Sequence, residues 1–271
     1  MSRMKLSLCN EVVADLPFER QCVLAAELGY DGLEVAPFTL GEARSAELRR
    51  AASDAGIAVS GLHWLLRQPE GLSITSGDAA VRARTLEAMH RQIDLCAELG
   101  GAVLVHGSPA QRRLPAGEQA AARERGIEAF AAVAAHAQAA GVVYCIEPLA
   151  APEADFIHTV AEAAAIVQAI GQPALRTMLD CCAAARAEAE PVPAVLARWL
   201  PTGLLAHVQV NDPNLRGPGQ GALPFADILR TLRQHAYAGW VAVEPFDYQP
   251  DGPMAAARAI GYLRGLLEAP H

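Results

Sequence analysis

The sequence predicts a single (β/α)8 barrel on three grounds. Short apolar segments alternate with longer stretches of helical spacing, and in the second half the units recur every ~30 residues. At least five helical stretches end in a glycine directly before the next apolar segment, a repetition typical of a barrel's internal symmetry. A length of 271 residues suits one such barrel, although it also suits two small domains. Since no Pro-, Gly- or Ser-rich linker interrupts the alternation, we assign residues 1–271 to one domain.

Each element is predicted from its apolar pattern and its end signals. Eight strands are predicted at Lys5–Asn10, Gly32–Ala36, Ala58–His63, Ala102–His106, Val142–Glu147, Arg176–Asp180, Ala206–Val210 and Val241–Glu244. Helices are predicted at Pro17–Leu28, Leu40–Ala55, Asp78–Leu99, Gly117–Ala140, Thr159–Ile170, Val192–Leu200, Phe225–His235 and Gly252–Leu267. Asp78 and Thr159 are predicted N-caps. Left-handed glycine caps are predicted at Gly29, Gly56, Gly100, Gly141 and Gly239.

The main alternative is a doubly wound open sheet. Such a sheet normally carries a glycine-rich phosphate loop after an early strand, and neither GxGxxG nor GxxxxGK[ST] occurs. The richest glycine stretch, RGPGQG at Arg216–Gly221, follows a late strand and lacks the Lys-Ser/Thr pair. The pattern therefore favours the barrel.

Charge, cysteine usage and hydropathy restrict the partners and the compartment. A net charge of -8 and no basic stripe argue against a nucleic-acid partner, since phosphate backbones are bound by clustered Lys and Arg. No segment reaches the ~18 apolar residues of a membrane span, and the first apolar stretch is too short for a signal peptide. The six cysteines are scattered without a CxxC pair and are predicted to be buried, reduced thiols. We expect a cytoplasmic protein with neither nucleic acid nor membrane as partner.

Four successive strands of the second half end on an oxygen-bearing side chain: Glu147, Asp180, Gln209 and Glu244. One acid at a strand end most often caps a helix or meets solvent. Four in successive units meet at one rim of a barrel, where buried carboxylates require a cation. Three carboxylates and an amide oxygen suit Mn2+ or Mg2+, with Co2+ and Zn2+ as alternatives. The sequence therefore predicts a divalent-metal site.

Other side chains at the same rim are candidates for substrate binding. His63 and His106 end strands, and each is predicted either to contact substrate or to pack in a loop. His207 shares a face with Gln209 and is either a pocket residue or a hydrogen-bonded core histidine. Trp64 follows a strand and is a candidate sugar-stacking wall, with ordinary packing as the alternative.

Five phrases carry a family resemblance. They are YDGLEVAPF at Tyr30–Phe38, CIEPL at Cys145–Leu149, MLDCC at Met178–Cys182, HVQVND at His207–Asp212 and YAGWVAVEPF at Tyr237–Phe246. Together they resemble the sugar-phosphate isomerase/epimerase superfamily, the xylose isomerase-like TIM barrels. This superfamily includes ketose 3-epimerases, hydroxypyruvate isomerase, inosose-processing enzymes and the endonuclease IV branch. The resemblance covers essentially the whole chain.

The resemblance implies roles for individual residues. It assigns metal binding to Glu147, Asp180, Gln209 and Glu244, but the epimerases place His at the third of these positions, and Gln there resembles hydroxypyruvate isomerase. They also carry a substrate-binding His where this chain has Ala183. Glu153 matches a Glu that binds a substrate hydroxyl. Arg216 corresponds to a basic substrate contact, with a surface loop arginine as its alternative.

The expected function is a divalent-metal-dependent isomerase or epimerase of a small ketose or keto-polyol. Glu147 and Glu244 lie across the rim from each other and are predicted to act as the acid/base pair, with the cation stabilising a cis-enediolate. An inosose-type dehydratase and a non-catalytic barrel serving as a binding subunit remain the alternatives. The endonuclease branch requires a basic face and more His ligands than are present. The family also implies a homodimer or homotetramer.

Overall fold

Eight parallel strands close into a barrel in chain order. The computed structural model describes residues 4–151 and 153–269, so residues 1–3, 152 and 270–271 of the predicted domain lie outside the described residues. The strands are β1 Lys5–Cys9, β2 Gly32–Val35, β3 Ala58–Leu62, β4 Val103–His106, β5 Val143–Ile146, β6 Leu175–Asp180, β7 Leu205–Val210 and β8 Trp240–Val243. Each strand pairs with the next, and β8 pairs with β1. The predicted barrel is confirmed.

The α-helices that surround the barrel follow the strands along the chain. They are α1 Phe18–Leu28, α2 Ser45–Asp54, α3 Ala79–Leu99, α4 Gln119–Ala140, α5 Val160–Ile170, α6 Cys181–Ala187, α7 Val192–Trp199, α8 Phe225–Gln234 and α9 Gly252–Glu268. The short α6 is absent from the sequence prediction, because it follows β6 with no loop and MLDCCAA continues the apolar run of the strand. Asp180 marks the change, since its carboxylate accepts from the Ala183 N–H at 2.7 Å as the N-cap of α6.

The helix ends mostly confirm the predicted caps. The side chains of Asp78 and Thr159 accept backbone N–H groups at the starts of α3 and α5. Gly29, Gly56, Gly100 and Gly141 all have the expected positive φ. The prediction for Gly239 is wrong, because the left-handed residue near the end of α8 is Ala236, with φ 51°. A glycine is instead needed at this position because there is no room for a side chain: a Cβ on Gly239 would lie 2.4 Å from the Tyr237 hydroxyl.

Side chains on both faces of the barrel strands build the core, one face packing against the helices and the other lying inside the barrel. Apolar strand residues such as Leu8, Val208 and Val243 belong to the large cluster that includes the buried faces of the helices. The strand register places Cys9 beside Glu34, and Asp180 beside Gln209. Since neighbours in register point to the same side of a sheet, these polar side chains share the inside of the barrel near its carboxyl end.

Two further expectations concern the cysteines and the membrane. All six cysteines are buried and free of disulfides, as predicted. Within residues 4–151 and 153–269, no helix has the length and apolar character that crossing a membrane requires.

Candidate active site

Three carboxylates converge at the carboxyl end of the barrel. Glu147 follows β5, Asp180 ends β6, and Glu244 follows β8. One oxygen from each lies within 4.8 Å of one oxygen from each of the others, and all three residues are buried. Parallel strands that end on one rim deliver these side chains to a common point, as the sequence predicted.

The electrostatics of this cluster would suit a bound cation. Burial, together with the charge of neighbouring carboxylates, raises the pKa of Glu147 and of Glu244 well above the ordinary range. Burial raises the pKa of Asp180 to about 6, although the Ala183 N–H stabilises its charge. Asp180 Oδ2 has no hydrogen-bond partner within the described residues. A hard divalent cation such as Mn2+ or Mg2+ fits this oxygen-only set, because it would offset the repulsion and satisfy the free oxygen.

Gln209, the fourth predicted ligand, lies beside this cluster on β7 and is fully buried. Its amide Nε2 donates to Glu34 Oε1 at 2.7 Å, while its Oε1 has no partner in the described part of the chain. Glu34 Oε2 lies 2.6 Å from His207 Nε2. Burial opposes the charge of Glu34, but His207 and His63 outweigh burial and hold the pKa of this carboxyl below its ordinary value.

His63 links the cluster to a second group of side chains. Its Nε2 lies 2.7 Å from Glu11 Oε2 and 3.9 Å from Glu244 Oε1. Burial opposes charge on the imidazole, but the carboxylates of Glu11 and Glu34 outweigh burial and raise the pKa of His63. Cys9, Glu11, His63 and Glu244 also place donor atoms within 4.8 Å of one another. His63 Nε2 and Glu11 Oε2 already pair with each other, so this second group has less need of a cation, although Glu11 Oε1 and His63 Nδ1 have no hydrogen-bond partner among the described residues.

A cavity of about 270 Å³ opens onto the three carboxylates. Trp64 and Phe246 form part of its wall, with ring centroids 6.5 Å apart in an edge-to-face arrangement. Trp64 has a φ of 53°, a backbone conformation that a bulky residue rarely adopts and that often marks functional sites. Ala183 also lines the cavity and leaves room where a longer side chain would project.

The structure brings only some of the predicted substrate-binding residues to this cavity. His63, Trp64 and Glu153 line it. His106 is buried outside the cavity lining, with Nδ1 2.7 Å from the Tyr144 hydroxyl. His207 contacts Glu34 inside the barrel, and Arg216 donates to Asp247 at 2.9 Å. Substrate contact by these last three residues stays a prediction, and the cavity lining does not support it.

Two arginines at the site escape sequence analysis. Arg186, on α6, lines the cavity and donates to Glu153 Oε1 at 2.7 Å. Arg112 is fully buried and donates to the Glu147 carbonyl oxygen at 2.7 Å. Burial lowers the pKa of Arg112 to about 10, against the opposing effect of the Glu147 carboxylate. Neither has a sequence signal, because Arg112 lies in a QRR stretch typical of a surface loop and α6 itself was not predicted.

The fold and the site together define a TIM barrel with a carboxylate-rich site at the carboxyl ends of its strands. Residues 22–266 match the family model of the xylose isomerase-like TIM barrels. The chain belongs to this family, which confirms the resemblance seen in the sequence.

Relatives of known description include sugar epimerases and a putative hydroxypyruvate isomerase of Streptomyces coelicolor. A D-psicose 3-epimerase of Agrobacterium fabrum (strain C58 / ATCC 33970) is 31% identical over 234 residues, covering 82% of this chain and 76% of that protein. An L-ribulose 3-epimerase of Mesorhizobium japonicum is 27% identical over 237 residues, covering 86% and 77%. A crystal structure of D-psicose 3-epimerase in the presence of D-fructose has a TM-score of 0.82 and 25% identity, covering 98% of this chain and 100% of that chain.

Proposed function

We propose that this chain is a divalent-metal-dependent epimerase of small ketoses, which acts by proton transfer at the carbon beside the carbonyl. The observation that carries the proposal is the placement of Glu147 and Glu244, which both line the cavity and come from strands separated by two others around the rim. A cavity of about 270 Å³ is near the lower end of small-molecule sites and suits a single sugar unit. The named relatives act on D-psicose and L-ribulose, which are small ketoses.

The residues that would hold the cation are Glu147, Asp180, Gln209 and Glu244. When bound, a divalent cation supplies positive charge beside the ketose oxygens and so lowers the pKa of the adjacent C–H group. Asp180 takes no part in proton transfer, because one of its oxygens is engaged as the N-cap of α6. Asp180 would bind the cation with one oxygen while the other oxygen caps the start of α6.

The proton steps belong to the two glutamates. The carboxylate of one removes the proton from the carbon, and the carboxyl of the other returns a proton to the opposite face, which inverts the centre. Arg112 donates to the Glu147 carbonyl oxygen and fixes the backbone from which that carboxylate projects. Glu153 accepts a substrate hydroxyl, oriented by its contact with Arg186.

The dehydratase and the non-catalytic binding subunit are less favoured, because the relatives include a D-psicose 3-epimerase and an L-ribulose 3-epimerase. A homodimer or homotetramer, a cytoplasmic location and Mn2+ or Mg2+ as the metal stay predictions.

The decisive experiment measures carbon-bound proton exchange. Protein loaded with Mn2+ is incubated in D2O with D-psicose, D-fructose or L-ribulose. The sugars are then separated by epimer-resolving chromatography, and their masses are measured by mass spectrometry. We expect the C-3 epimer to form with one deuterium gained at the inverted carbon. Formation of a product lighter by one water would instead establish a dehydratase. No turnover of any ketose, with metal bound, would refute the proposal.

Two variants and a matched control test the two glutamates. Glu147→Gln and Glu244→Gln each keep the shape of the side chain but remove the proton acceptor and one carboxylate that would hold the cation, so each should abolish both epimerisation and deuterium uptake. Glu98→Gln makes the same chemical change on the exposed side of α3 and should leave both unchanged. If Glu147→Gln retained wild-type turnover, Glu147 would not be part of the acid/base pair.

A further inference from the structure

Gln209 offers the site an amide, and an amide can face its neighbours in either of two directions. In one direction the amide oxygen faces the carboxylates, and in the other the NH2 group faces them. Only the oxygen can bind a cation. The question is therefore what holds the oxygen side toward the carboxylates.

Glu34 decides the direction. Its Oε1 lies 2.7 Å from Gln209 Nε2 and also accepts from the Cys9 thiol, so this oxygen is an acceptor in the barrel interior. The reversed amide would bring two acceptor oxygens together at hydrogen-bond distance, in a region where both side chains are fully buried and water cannot relieve the repulsion. The NH2 group of Gln209 must therefore face Glu34, which leaves Oε1 on its other side.

Glu34 is itself fixed by side chains from several strands. His207 Nε2 lies 2.6 Å from Oε2, and Cys9 Sγ donates to Oε1 at 3.7 Å. His63 Nδ1 lies 3.8 Å from Oε1. Because these groups come from β1, β7 and the end of β3, the carboxylate cannot turn away from Gln209 without losing all of them at once.

The remaining oxygen of Gln209 is buried and has no hydrogen-bond partner among residues 4–151 and 153–269. A buried acceptor without a partner costs free energy, so a fold that holds one in place usually supplies a ligand for it. The register beside Asp180 puts Gln209 next to the carboxylate cluster.

We propose that Glu34 is a positioning residue which orients the Gln209 amide so that its oxygen binds the divalent cation. The inference rests on the metal site of the proposed function. It adds that the Gln209 amide on β7 binds the cation through its oxygen only while the buried Glu34 carboxylate of β2 holds its NH2 group. Glu34 contacts neither cation nor substrate in this role.

The test measures Mn2+ affinity by titration calorimetry, independently of turnover, for wild type, Glu34→Gln, Gln209→Ala and the double variant. A second amide at position 34 can donate as well as accept, so Glu34→Gln removes the preference for one direction. We expect it to weaken Mn2+ binding by ~10- to 100-fold, the usual loss for partners that orient a metal ligand. In the Gln209→Ala background the same change should have little further effect.

The exchanged pair Glu34→Gln with Gln209→Glu keeps the test decisive if Glu34→Gln alone folds poorly. The amide at 34 then donates to the carboxylate at 209, whose second oxygen is free for the cation, so affinity should return toward wild type. A general loss of structure predicts no such recovery. Circular dichroism in EDTA checks that each variant is folded, and Glu98→Gln is the control for removal of a distant charge.

The outcomes separate this inference from the function on which it rests. If wild type binds no Mn2+, the metal site itself fails. If wild type binds Mn2+ and Glu34→Gln binds it equally well, the positioning role is wrong while the metal site stands. If Glu34→Gln weakened Mn2+ binding by the same factor in the wild-type and Gln209→Ala backgrounds, the inference would also be wrong, since Glu34 would then act by another route.

Discussion

Removing one negative charge from the cluster should stabilise the protein when no divalent cation is available. The change is Glu244→Gln, which preserves the size of the side chain and its capacity for hydrogen bonding. Glu244 is the best position because the charges that raise its pKa are all carboxylates. The nearest basic group, His63, lies 3.9 Å away and already contacts Glu11.

The magnitude follows from the spacing of the carboxylates. Two full charges 4.8 Å apart repel by about 3.5 kcal/mol at an effective dielectric constant of ~20. Relaxation of the side chains around the charges already relieves part of this energy in wild type, so we expect a net gain of about 2 kcal/mol. In a chain of this length that gain corresponds to a Tm higher by ~5 °C.

The assay is thermal unfolding with excess EDTA and again with saturating Mn2+. Wild type should be the less stable protein in EDTA and the more stable one in Mn2+, because a cation at 100 times its Kd adds about 2.7 kcal/mol. Glu244→Gln should gain little from Mn2+, and Glu98→Gln should follow wild type in both conditions. A Glu244→Gln variant less stable than wild type in EDTA would refute the reasoning, since its carboxylate would then have a stabilising partner.

Three further predictions concern the groups around the cluster. Gly107→Ala should lower kcat/KM about 100-fold, because the new Cβ would lie 2.1 Å from Glu147 Oε2 and must displace that carboxylate. Arg112→Met should cost about 3 to 5 kcal/mol in urea unfolding, since it removes the donor to the Glu147 carbonyl oxygen and the buried cation beside the Glu147 carboxylate. His106→Gln should reduce the loss of folding stability as the pH falls (the acid limb of the pH–stability curve). Burial lowers the pKa of His106 to about 3, so only the unfolded chain takes up its proton as pH falls below 6.5, and wild-type stability should decrease by about 1.4 kcal/mol per pH unit there.

Matched substitutions control these measurements. Gly265→Ala, on the exposed side of α9 with open space around it, should leave kcat/KM unchanged and stabilise the helix slightly. His235→Gln alters an exposed histidine and should retain the wild-type acid limb. An unchanged kcat/KM in Gly107→Ala, a loss below 1 kcal/mol in Arg112→Met, or an acid limb shared by His106→Gln and wild type would contradict the corresponding prediction.

The barrel could be predicted because its signals are local and repeated. Each strand is a short apolar run, and each long helix has its own period and end signals, of which the cap at Asp78 is an example. The failures occur where the local signal is ambiguous. The segment after Asp180 turns into α6 within one residue, and neither hydropathy nor a breaker marks that change. The sequence predicts a left-handed cap at Gly239, whereas a neighbouring hydroxyl requires the small size of this residue.

The site could be predicted only in part, for a different physical reason. Glu147 and Glu244 come at the ends of apolar runs, so their position in the sequence already indicates the rim of the barrel. Arg112 reaches the site by folding a polar loop inward, and Arg186 reaches it from the unpredicted α6. Contacts made across loops depend on tertiary structure, which no periodicity in the sequence encodes.

Glu34 shows how the structure separates a positioning carboxylate from a ligand-binding one. Glu34, Glu147, Asp180 and Glu244 are four buried acids in and beside the carboxylate cluster, and three of them have a raised pKa. Glu34 alone has a lowered pKa, because the protein itself provides its hydrogen-bond donors and positive charge. The histidines provide positive charge beside Glu34, 2.6 Å away at His207 Nε2, whereas Glu244 has mainly carboxylates as charged neighbours. We therefore expect the sign of the shift, together with the contacts, to separate the proposed positioning carboxylate of Glu34 from the carboxylates proposed to bind the cation.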